Sequence, residues 1–259
     1  MSELAQKPHV FLDGLKYPSV FFTVSGAHLY GFPSADSDYD LRGIHVLPIE
    51  SIAGLDTGPD TIEITEHRNG LDADVVCHDV KKFFLMLLRR NGYVLEQLTS
   101  PLKVVTSSEH DELLSLVPSL LTRQHSHHYL GFAQTQWNLF NKEEHKRVKP
   151  LLYTFRVLLT GIHLMRSGKV EANLPNLNAE FRLPYLEDLI EKKVAGKEKG
   201  ELPRRDFSLY VKEYERLVGM LEAAAVATSL PDRPSARPAL HDLLVRVRKK
   251  YQLSSVFPE

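Results

Sequence analysis

The sequence predicts an α+β protein in which a small head of mixed sheet and helices, residues 1–108, precedes a helical domain, residues 109–259. Up to residue 108, short runs rich in Val, Ile, Phe and Thr alternate with turn residues, which is typical of strands. Beyond that point, apolar residues recur mainly at helical spacing. A chain of 259 residues with 43% hydrophobic residues can build one large core or two smaller ones.

The head is predicted to contain four strands and a short fifth. They are SVFFTVSG from residue 19, DYDLRGIHVLP from 38, TIEITEH from 61, DADVVCHD from 72 and KVVTS from 103. A helix is predicted between residues 78 and 90, because Val80, Phe83 and Leu87 follow helical spacing. Asp79 is the expected N-cap of that helix.

Six helices are predicted in the second domain. They cover about 109–122, 125–142, 149–167, 183–195, 206–229 and 236–250. The strongest breaks are GKEKGELP at 196–203 and SLPDRPSARP at 229–238, where Pro and Gly end the periodicity.

Composition excludes several classes of protein. The net charge of −1 and the pI of about 6.9 give no global basic field for nucleic acid, although a local basic cleft is compatible with them. The single cysteine, Cys77, excludes an internal disulfide and multi-cysteine zinc sites. No apolar run has the length of a membrane span, and the N-terminal residues lack a signal-peptide pattern. We therefore expect a cytoplasmic protein that does not contact the membrane.

The stretch SGAHLYGFPSADSDYDLRG, residues 25–43, carries the clearest chemistry. Asp38 and Asp40 lie two residues apart, so in an extended chain they share one face. Two converging carboxylates repel each other, and Mg²⁺ resolves this repulsion by binding carboxylates together with substrate phosphates. A P-loop is excluded because Phe32 and Pro33 stand where Lys and Ser or Thr are needed, and EF-hand spacing is absent. An exposed turn remains the structural alternative.

This stretch resembles the RNA-repair-ligase-associated polymerase family of predicted nucleotidyltransferases, within the DNA polymerase β-like superfamily. The similarity continues along nearly the whole chain, through four further stretches. They are DVVCHDVKKFFLMLLRRN, KPLLYTFRVLLTGIHLMRSGKVEANLP, LIEKKVAGKEKGEL and SLPDRP.

The resemblance implies transfer of a nucleotidyl group from an NTP to a hydroxyl, with RNA 3′ ends as the expected acceptor and Mg²⁺ or Mn²⁺ as cofactor. Asp38 and Asp40 are the implied metal ligands and catalytic residues, and Asp74 is the third. The other implied nucleotide contacts in the head are Ser25, Gly26, Ala27 and Ser37. Ala27 departs from the serine that the family usually has, which puts nucleotide affinity in doubt.

Arg42 and one helix of the second domain offer cations. Arg42 is compatible with pairing to a carboxylate or with supporting a phosphate. A polar stripe runs along the helix from residue 149, formed by Lys149, Tyr153, Arg156, Thr160 and His163. A helix that is otherwise apolar is buried, so these cations need anionic partners, which predicts that this domain completes a nucleotide cleft. The alternative is that Lys149 and Arg156 extend into solvent.

Two other functions compete with catalysis. The chain is compatible with a non-catalytic nucleotide- or protein-binding module, similar to an antitoxin, that retains the fold; Ala27 favours this reading slightly and the intact aspartates oppose it. A metal-dependent phosphohydrolase is less consistent, because its sites usually add histidine ligands beside the acids, and the HSHH run at 125–128 lacks acidic companions. The base preference and the oligomeric state are open.

Overall fold

A computed structural model of the chain describes residues 7–195, 202 and 207–256, with side chains up to residue 252. The contacts divide the chain into two compact units. The sheet unit comprises residues 1–26, 38–120 and 234–259, and the helical unit comprises residues 27–37 and 121–233. These units differ from the predicted division after residue 108, because the segment 27–37 packs with helices and the C-terminal helix packs with the sheet.

The sheet unit is built on five strands in the order β3-β4-β2-β1-β5. The strands are β1 (Ser19–Val24), β2 (Tyr39–His45), β3 (Thr61–Arg68), β4 (Leu71–Asp79) and β5 (Lys103–Val105). The pair β2 and β4 is parallel and the other pairs are antiparallel. The sheet is therefore mixed, and the predicted α+β class is confirmed.

The sheet unit also contains a 3-10 helix and several α-helices. They are the 3-10 helix Lys7–Leu12 and the helices α2 (Glu50–Ala53), α3 (Val80–Leu88), α4 (Gly92–Thr99), α5 (Ser108–Ser115), α6 (Val117–Leu120) and α12 (Arg237–Val256). A short helix, α1 (Gly26–Tyr30), begins two residues after the end of β1, and its residues from 27 onward belong to the helical unit. Asp79 is the N-cap of α3, as predicted, because its carboxylate accepts the N–H of Lys81 at 3.0 Å.

One face of the sheet packs into a hydrophobic core because the strands alternate. On β4, Ala73, Val75 and Cys77 are buried, whereas Asp72, Asp74 and His78 between them are more exposed. Phe22 of β1 and Leu41 of β2 belong to the same core cluster. The opposite face of β2 and β4 carries the polar side chains.

The C-terminal helix α12 is fixed to the sheet unit by polar contacts. Arg248 donates to the Asp79 carboxylate at 2.6 Å and to the Leu47 carbonyl at 2.7 Å. Tyr251 donates its hydroxyl proton to the Ser19 carbonyl at 3.3 Å. The segment before the helix is anchored by the Ser235 N–H, which donates to the Ser119 carbonyl. The last helix thus completes the first domain of the chain.

The helical unit is organised around one almost fully buried helix. Its helices are α7 (His125–Lys142), α8 (Val148–Ser167), α9 (Leu174–Phe181), α10 (Pro184–Val194) and α11 (Phe207–Ala227). The helix α8 is buried over most of its length, and Gly161 allows close packing, since a Cβ there would lie 3.0 Å from side chains of Tyr129 and Leu221. In the described part of the chain, no helix has both the length and the apolar composition that crossing a membrane requires.

The predicted elements agree with the structure except at short helices. The helix predicted at 125–142 has these bounds, whereas the one predicted at 109–122 is divided into α5 and α6 at Leu116. The helices α1, α2, α4 and α9 and the 3-10 helix were not predicted. Most of the predicted break at 196–203 lies outside the described residues.

Candidate functional site

Two predicted site residues lie side by side on neighbouring strands. In the parallel pair β2 and β4, Asp40 faces Asp74, between the buried pairs Tyr39–Ala73 and Leu41–Val75. Alternation therefore turns both aspartates away from the core. The sequence predicted their faces from alternation, but only the register between the strands brings them together.

Arg42 bridges these two carboxylates. Its Nη2 donates to Asp40 Oδ1 at 2.6 Å and to Asp74 Oδ2 at 2.9 Å. Nη1 donates to the carbonyls of Leu41 at 3.0 Å and Asp74 at 2.5 Å, and Nε donates to the Tyr93 hydroxyl at 2.8 Å. The five N–H groups of the guanidinium thus meet five acceptors. Of the two roles considered for Arg42, the structure shows pairing with carboxylates.

The three side chains differ in their access to water. The side chain of Arg42 is 8% exposed, that of Asp40 is 24% exposed and that of Asp74 is 36% exposed. Asp74 Oδ1 has no recorded hydrogen-bond partner among the described residues. The guanidinium is therefore more buried than the two carboxylates, and Asp74 Oδ1 is available to a ligand.

Gly26 makes room for the Asp40 carboxylate. Its φ of +59° lies in the left-handed region, and a Cβ at this position would overlap the Asp40 carboxylate. The preceding residue is held in register, since the Ser25 N–H donates to the Asp40 carbonyl at 2.8 Å. The glycine of the motif is thus explained by close approach to the carboxylate as well as by its backbone conformation.

Ser25 places a hydroxyl on the same side of the sheet as Asp40. The register pairs Val24 with Leu41, so Ser25 is the next residue and lies opposite Asp40. Residues that face each other on neighbouring strands share a face. The Ser25 hydroxyl is buried and has no hydrogen-bond partner in the described structure. A buried hydroxyl without a partner is uncommon and requires an explanation.

Asp38 is not gathered with the other two acids. It is exposed and lies one residue before β2, and no hydrogen bond or ion pair is recorded for its side chain. Within the described ranges, no cluster of three or more His, Cys, Asp or Glu side chains is arranged to hold a metal ion. The structure therefore brings two of the three predicted metal ligands together, and the role of Asp38 stays a prediction.

Residues 27–37, which lie between Gly26 and Asp38 in the sequence, pack within the helical unit. The Ala27 carbonyl accepts the N–H groups of Gly31 and Phe32, which closes the turn after α1. The Ser37 hydroxyl accepts the Ser34 N–H at 2.9 Å. These contacts shape the loop, and they leave nucleotide binding by Ala27 and Ser37 as a prediction.

The polar stripe on α8 consists of residues in different environments. Lys149 is exposed, whereas Arg156 is buried with its guanidinium 3.8 Å from the centre of the Tyr30 ring. Tyr153 is half-buried and its ring meets that of Tyr30 edge to face. His163 pairs through Nδ1 with Glu180 at 2.7 Å. The cation–π contact gives Arg156 an aromatic partner inside the helical unit.

The sequence analysis missed two residues that hydrogen-bond within the region of the predicted site. One contacts the segment 27–37 and the other contacts Arg42. Lys193 is 2% exposed and donates from Nζ to the Ser34 hydroxyl at 2.8 Å. Its position could have been found, because Leu186, Leu189 and Lys193 follow helical spacing and place the lysine on an apolar face. Tyr93 was missed because α4, which carries it, is short and begins with glycine.

Cys77 and two histidines of α7 have environments set by the fold. Burial in the core raises the pKa of the Cys77 thiol to about 12, so it stays protonated at neutral pH. For His128, burial lowers the pKa of the imidazole, with the charge of Arg156 as a second cause. His125 hydrogen-bonds to Thr122 at the start of α7. These contacts are compatible with structural roles for the three residues.

Comparison with known proteins shows what this chain is similar to. A family model described as the RNA repair pathway DNA polymerase beta family matches residues 1–246. An uncharacterized protein, YcgL of Bacillus subtilis strain 168, is 26% identical over 189 residues, which cover 69% of this chain and 71% of that protein. A solved nucleotidyltransferase-like protein from Exiguobacterium sibiricum 255-15 aligns with 13% identity and a TM-score of 0.35, over 96% of this chain and 80% of that one.

Proposed function

This chain belongs to the RNA repair pathway DNA polymerase beta family, and from that premise we propose that it is a metal-dependent nucleotidyltransferase. In the proposed reaction, a hydroxyl of the acceptor attacks the α-phosphate of an NTP. The new P–O bond joins the nucleotidyl group to the acceptor, and the bond to the β-phosphate breaks to release pyrophosphate. The proposed acceptor is an RNA 3′ end, in a protein of the cytoplasm.

The observation that carries the proposal is the Asp40–Asp74 pair with Gly26 against it. Carboxylate oxygens are ligands that Mg²⁺ prefers, and two partly exposed carboxylates side by side fit such an ion. The exposed Asp38 carboxylate is available nearby in sequence as a third ligand. Mg²⁺ or Mn²⁺ held there would neutralise charge on the triphosphate and on the reacting oxygens.

The chain's own residues are proposed to position the substrate. Asp74, the more exposed of the two, accepts the proton of the attacking hydroxyl, and Asp40, which Arg42 orients, would hold the metal. The Ser25 hydroxyl donates to a phosphate oxygen, which supplies the partner that this buried group lacks. Backbone N–H groups after Gly26 contribute further donors to the triphosphate. Ser25 thereby supplies a hydroxyl in a region where Ala27 has none.

Four residues of α8 are proposed to bind the nucleotide as well. They are Lys149, Tyr153, Arg156 and His163. The exposed ammonium of Lys149 is free to meet a phosphate, and Tyr153 offers an aromatic surface. A Lys149→Gln variant is expected to bind NTP several-fold more weakly. Lys142→Gln, which removes an exposed charge from the end of α7, is the matched control and is expected to bind as wild type does.

A second function, a non-catalytic nucleotide- or protein-binding module, is favoured by Arg42. This guanidinium already pairs with both Asp40 and Asp74, and its five donors are in use. A binding module that keeps the fold would need no metal at these carboxylates. The two functions therefore differ in whether a divalent cation binds Asp40 and Asp74.

Calorimetric titration of ATP, GTP, CTP and UTP, with and without Mg²⁺ or Mn²⁺, tests the proposal. Wild type is expected to bind at least one NTP in a metal-dependent manner, and Asp40→Asn is expected to lose at least about tenfold in affinity. Asp72→Asn is the matched control, because Asp72 lies on the same strand, is exposed and pairs only with His67 in the described structure. No NTP binding, or equal binding by Asp40→Asn, would overturn the nucleotide site.

Product formation separates the two functions. Wild type is expected to extend an RNA oligonucleotide with a free 3′ hydroxyl by one labelled nucleotide and to leave a 3′-phosphorylated oligonucleotide unchanged. Metal-independent NTP binding without product from either RNA would favour the binding module instead.

A further inference from the structure

A cavity lies in the sheet unit, between α3 and the beginning of α12. The cavity has a volume of about 490 Å³, which falls within the range of small-molecule pockets. Its lining includes none of the residues of the Asp40–Asp74 pair or its surroundings. Any ligand bound here would therefore not depend on nucleotidyl transfer.

The walls of the cavity are apolar. Phe84, Leu85 and Leu88 line it from α3, and Leu240 and Leu244 line it from α12. Leu85 is 36% exposed, which is unusual for a leucine that lies between two packed helices. An apolar ligand body would remove these side chains from water, which favours binding in proportion to the apolar area buried.

The polar members of the lining are all basic. Lys81, Arg237 and His241 border the cavity, and no Asp or Glu is among its described lining residues. None of these three side chains has a recorded hydrogen bond or ion pair in the described structure. The charge of the border is thus positive and unneutralised.

Three other cations of α12 are in a different situation. Arg246 pairs with Glu112 and Asp242, Arg248 pairs with Asp79, and Lys250 pairs with Glu109. These three are neutralised by acids of the sheet unit, whereas the cations that border the cavity are not. Unpaired cations around an apolar cavity complement a ligand that has one anionic end.

We propose that the cavity between α3 and α12 binds a small amphipathic monoanion, namely a carboxylate that carries an alkyl chain. The hydrocarbon chain lies against Phe84, Leu85 and Leu244, and the carboxylate accepts hydrogen bonds from Lys81 and Arg237. The walls carry apolar side chains, and few groups are present that could hydrogen-bond to the edges of a nucleobase. This distinguishes the site from a second nucleotide site.

Calorimetric titration of decanoate into the full-length protein tests the proposal, with three probes for comparison. Decyl glucoside has the same chain without charge, decyltrimethylammonium carries the opposite charge, and AMP supplies an anion without an alkyl chain. Decanoate is expected to bind most tightly, decyl glucoside more weakly, and the other two least.

Variants locate the site and separate its two components. Lys81→Gln combined with Arg237→Gln is expected to weaken decanoate binding by about tenfold and to leave decyl glucoside unchanged, because charge-assisted hydrogen bonds are lost. Leu85→Gln is expected to weaken both ligands. Lys249→Gln removes an exposed cation of α12 outside the cavity and is expected to bind as wild type does. Thermal unfolding verifies that each variant is folded.

Three results would overturn the proposal. They are no decanoate binding at millimolar concentration, decyltrimethylammonium binding as tight as that of decanoate, and AMP binding tighter than that of decanoate. The first would leave the cavity without this ligand, the second would show that the basic border contributes nothing, and the third would assign the border to phosphate.

Discussion

Two of the arginine–carboxylate clusters in the sheet unit, that of Arg248 with Asp79 and that of Arg42 with Asp40 and Asp74, differ in how fully their carboxylates are satisfied. The Asp79 carboxylate accepts the N–H groups of Lys81 and Leu47 and the guanidinium of Arg248, and its side chain is 6% exposed. Asp40 and Asp74 share one guanidinium and remain partly open to water. A buried, fully paired carboxylate holds elements together, whereas an accessible one can still take a ligand.

The largest expected effect comes from breaking the buried cluster. Arg248→Ala leaves the Asp79 carboxylate buried without a cation, so we expect a loss of about 3–5 kcal/mol in the free energy of unfolding. Arg246→Ala is the control on the same helix, because its pairs with Glu112 and Asp242 are exposed and screened by solvent, so a much smaller loss is expected. Urea denaturation measures both, and equal losses would contradict the comparison.

Gly26→Ala tests the close contact between Gly26 and the Asp40 carboxylate. The new methyl group would overlap the Asp40 carboxylate, so we expect a loss of roughly 1–3 kcal/mol in stability and of most NTP affinity. Gly70→Ala separates the two causes, since Gly70 also has a positive φ, of +74°, but has open space around it. The Gly70 variant is expected to be strained yet to keep wild-type NTP binding in calorimetry. If both variants lost NTP affinity equally, close approach to Asp40 would not be the reason for Gly26.

Removing Arg42 distinguishes the clusters by their response to metal. In Arg42→Gln, Asp40 and Asp74 lack their shared cation, so added Mg²⁺ is expected to raise the melting temperature more than in wild type. A gain of about 1.4 kcal/mol is expected at a concentration tenfold above the dissociation constant. Mg²⁺ is expected not to rescue Arg248→Ala, whose carboxylate is enclosed. A rescue of both variants, or of neither, would remove the distinction between the clusters.

The smallest expected effect concerns His78, which lies on β4 between Asp74 and Asp79. Burial, followed by the charge of Lys82, lowers the pKa of His78 from 6.5 to about 4. Between these values the unfolded chain binds more protons than the folded one, so stability present above pH 6.5 is lost as the pH falls towards 4. Unfolding measured from pH 7 to 4 is expected to show a shallower loss for His78→Gln, and an unchanged slope would exclude this histidine as a cause.

The sequence predicted the parts of the fold that depend on local periodicity. Alternation along β4 predicts that Asp74 and Val75 lie on opposite faces of the sheet, and apolar spacing predicts the long helix at 125–142; both are observed. The resemblance to the polymerase family along nearly the whole chain is also confirmed, over residues 1–246. Short helices such as α4 and α9 were missed because eight residues carry little periodic signal; α4 and α9 are instead marked by the caps Asn91 and Asn173.

The site was predicted less completely, because it depends on contacts between distant residues. Spacing placed Asp38 and Asp40 together, but the strand pairing joins Asp40 to Asp74 instead. The bridge by Arg42 and its support by Tyr93 follow from register and from the packing of α4. Such contacts are set by tertiary structure and leave no mark on local hydrophobic periodicity.

The bond between Arg248 and Asp79 joins residues 169 positions apart in the sequence. During translation at about 5–20 residues per second, roughly 10–30 s therefore separate the synthesis of the acid from that of its partner. Residues 121–233 of the helical unit are synthesised in this interval, while the nascent sheet lacks α12 and the apolar face of α3 is uncovered. Chaperones on the ribosome would therefore meet the sheet unit in this incomplete form, before α12 can cover it.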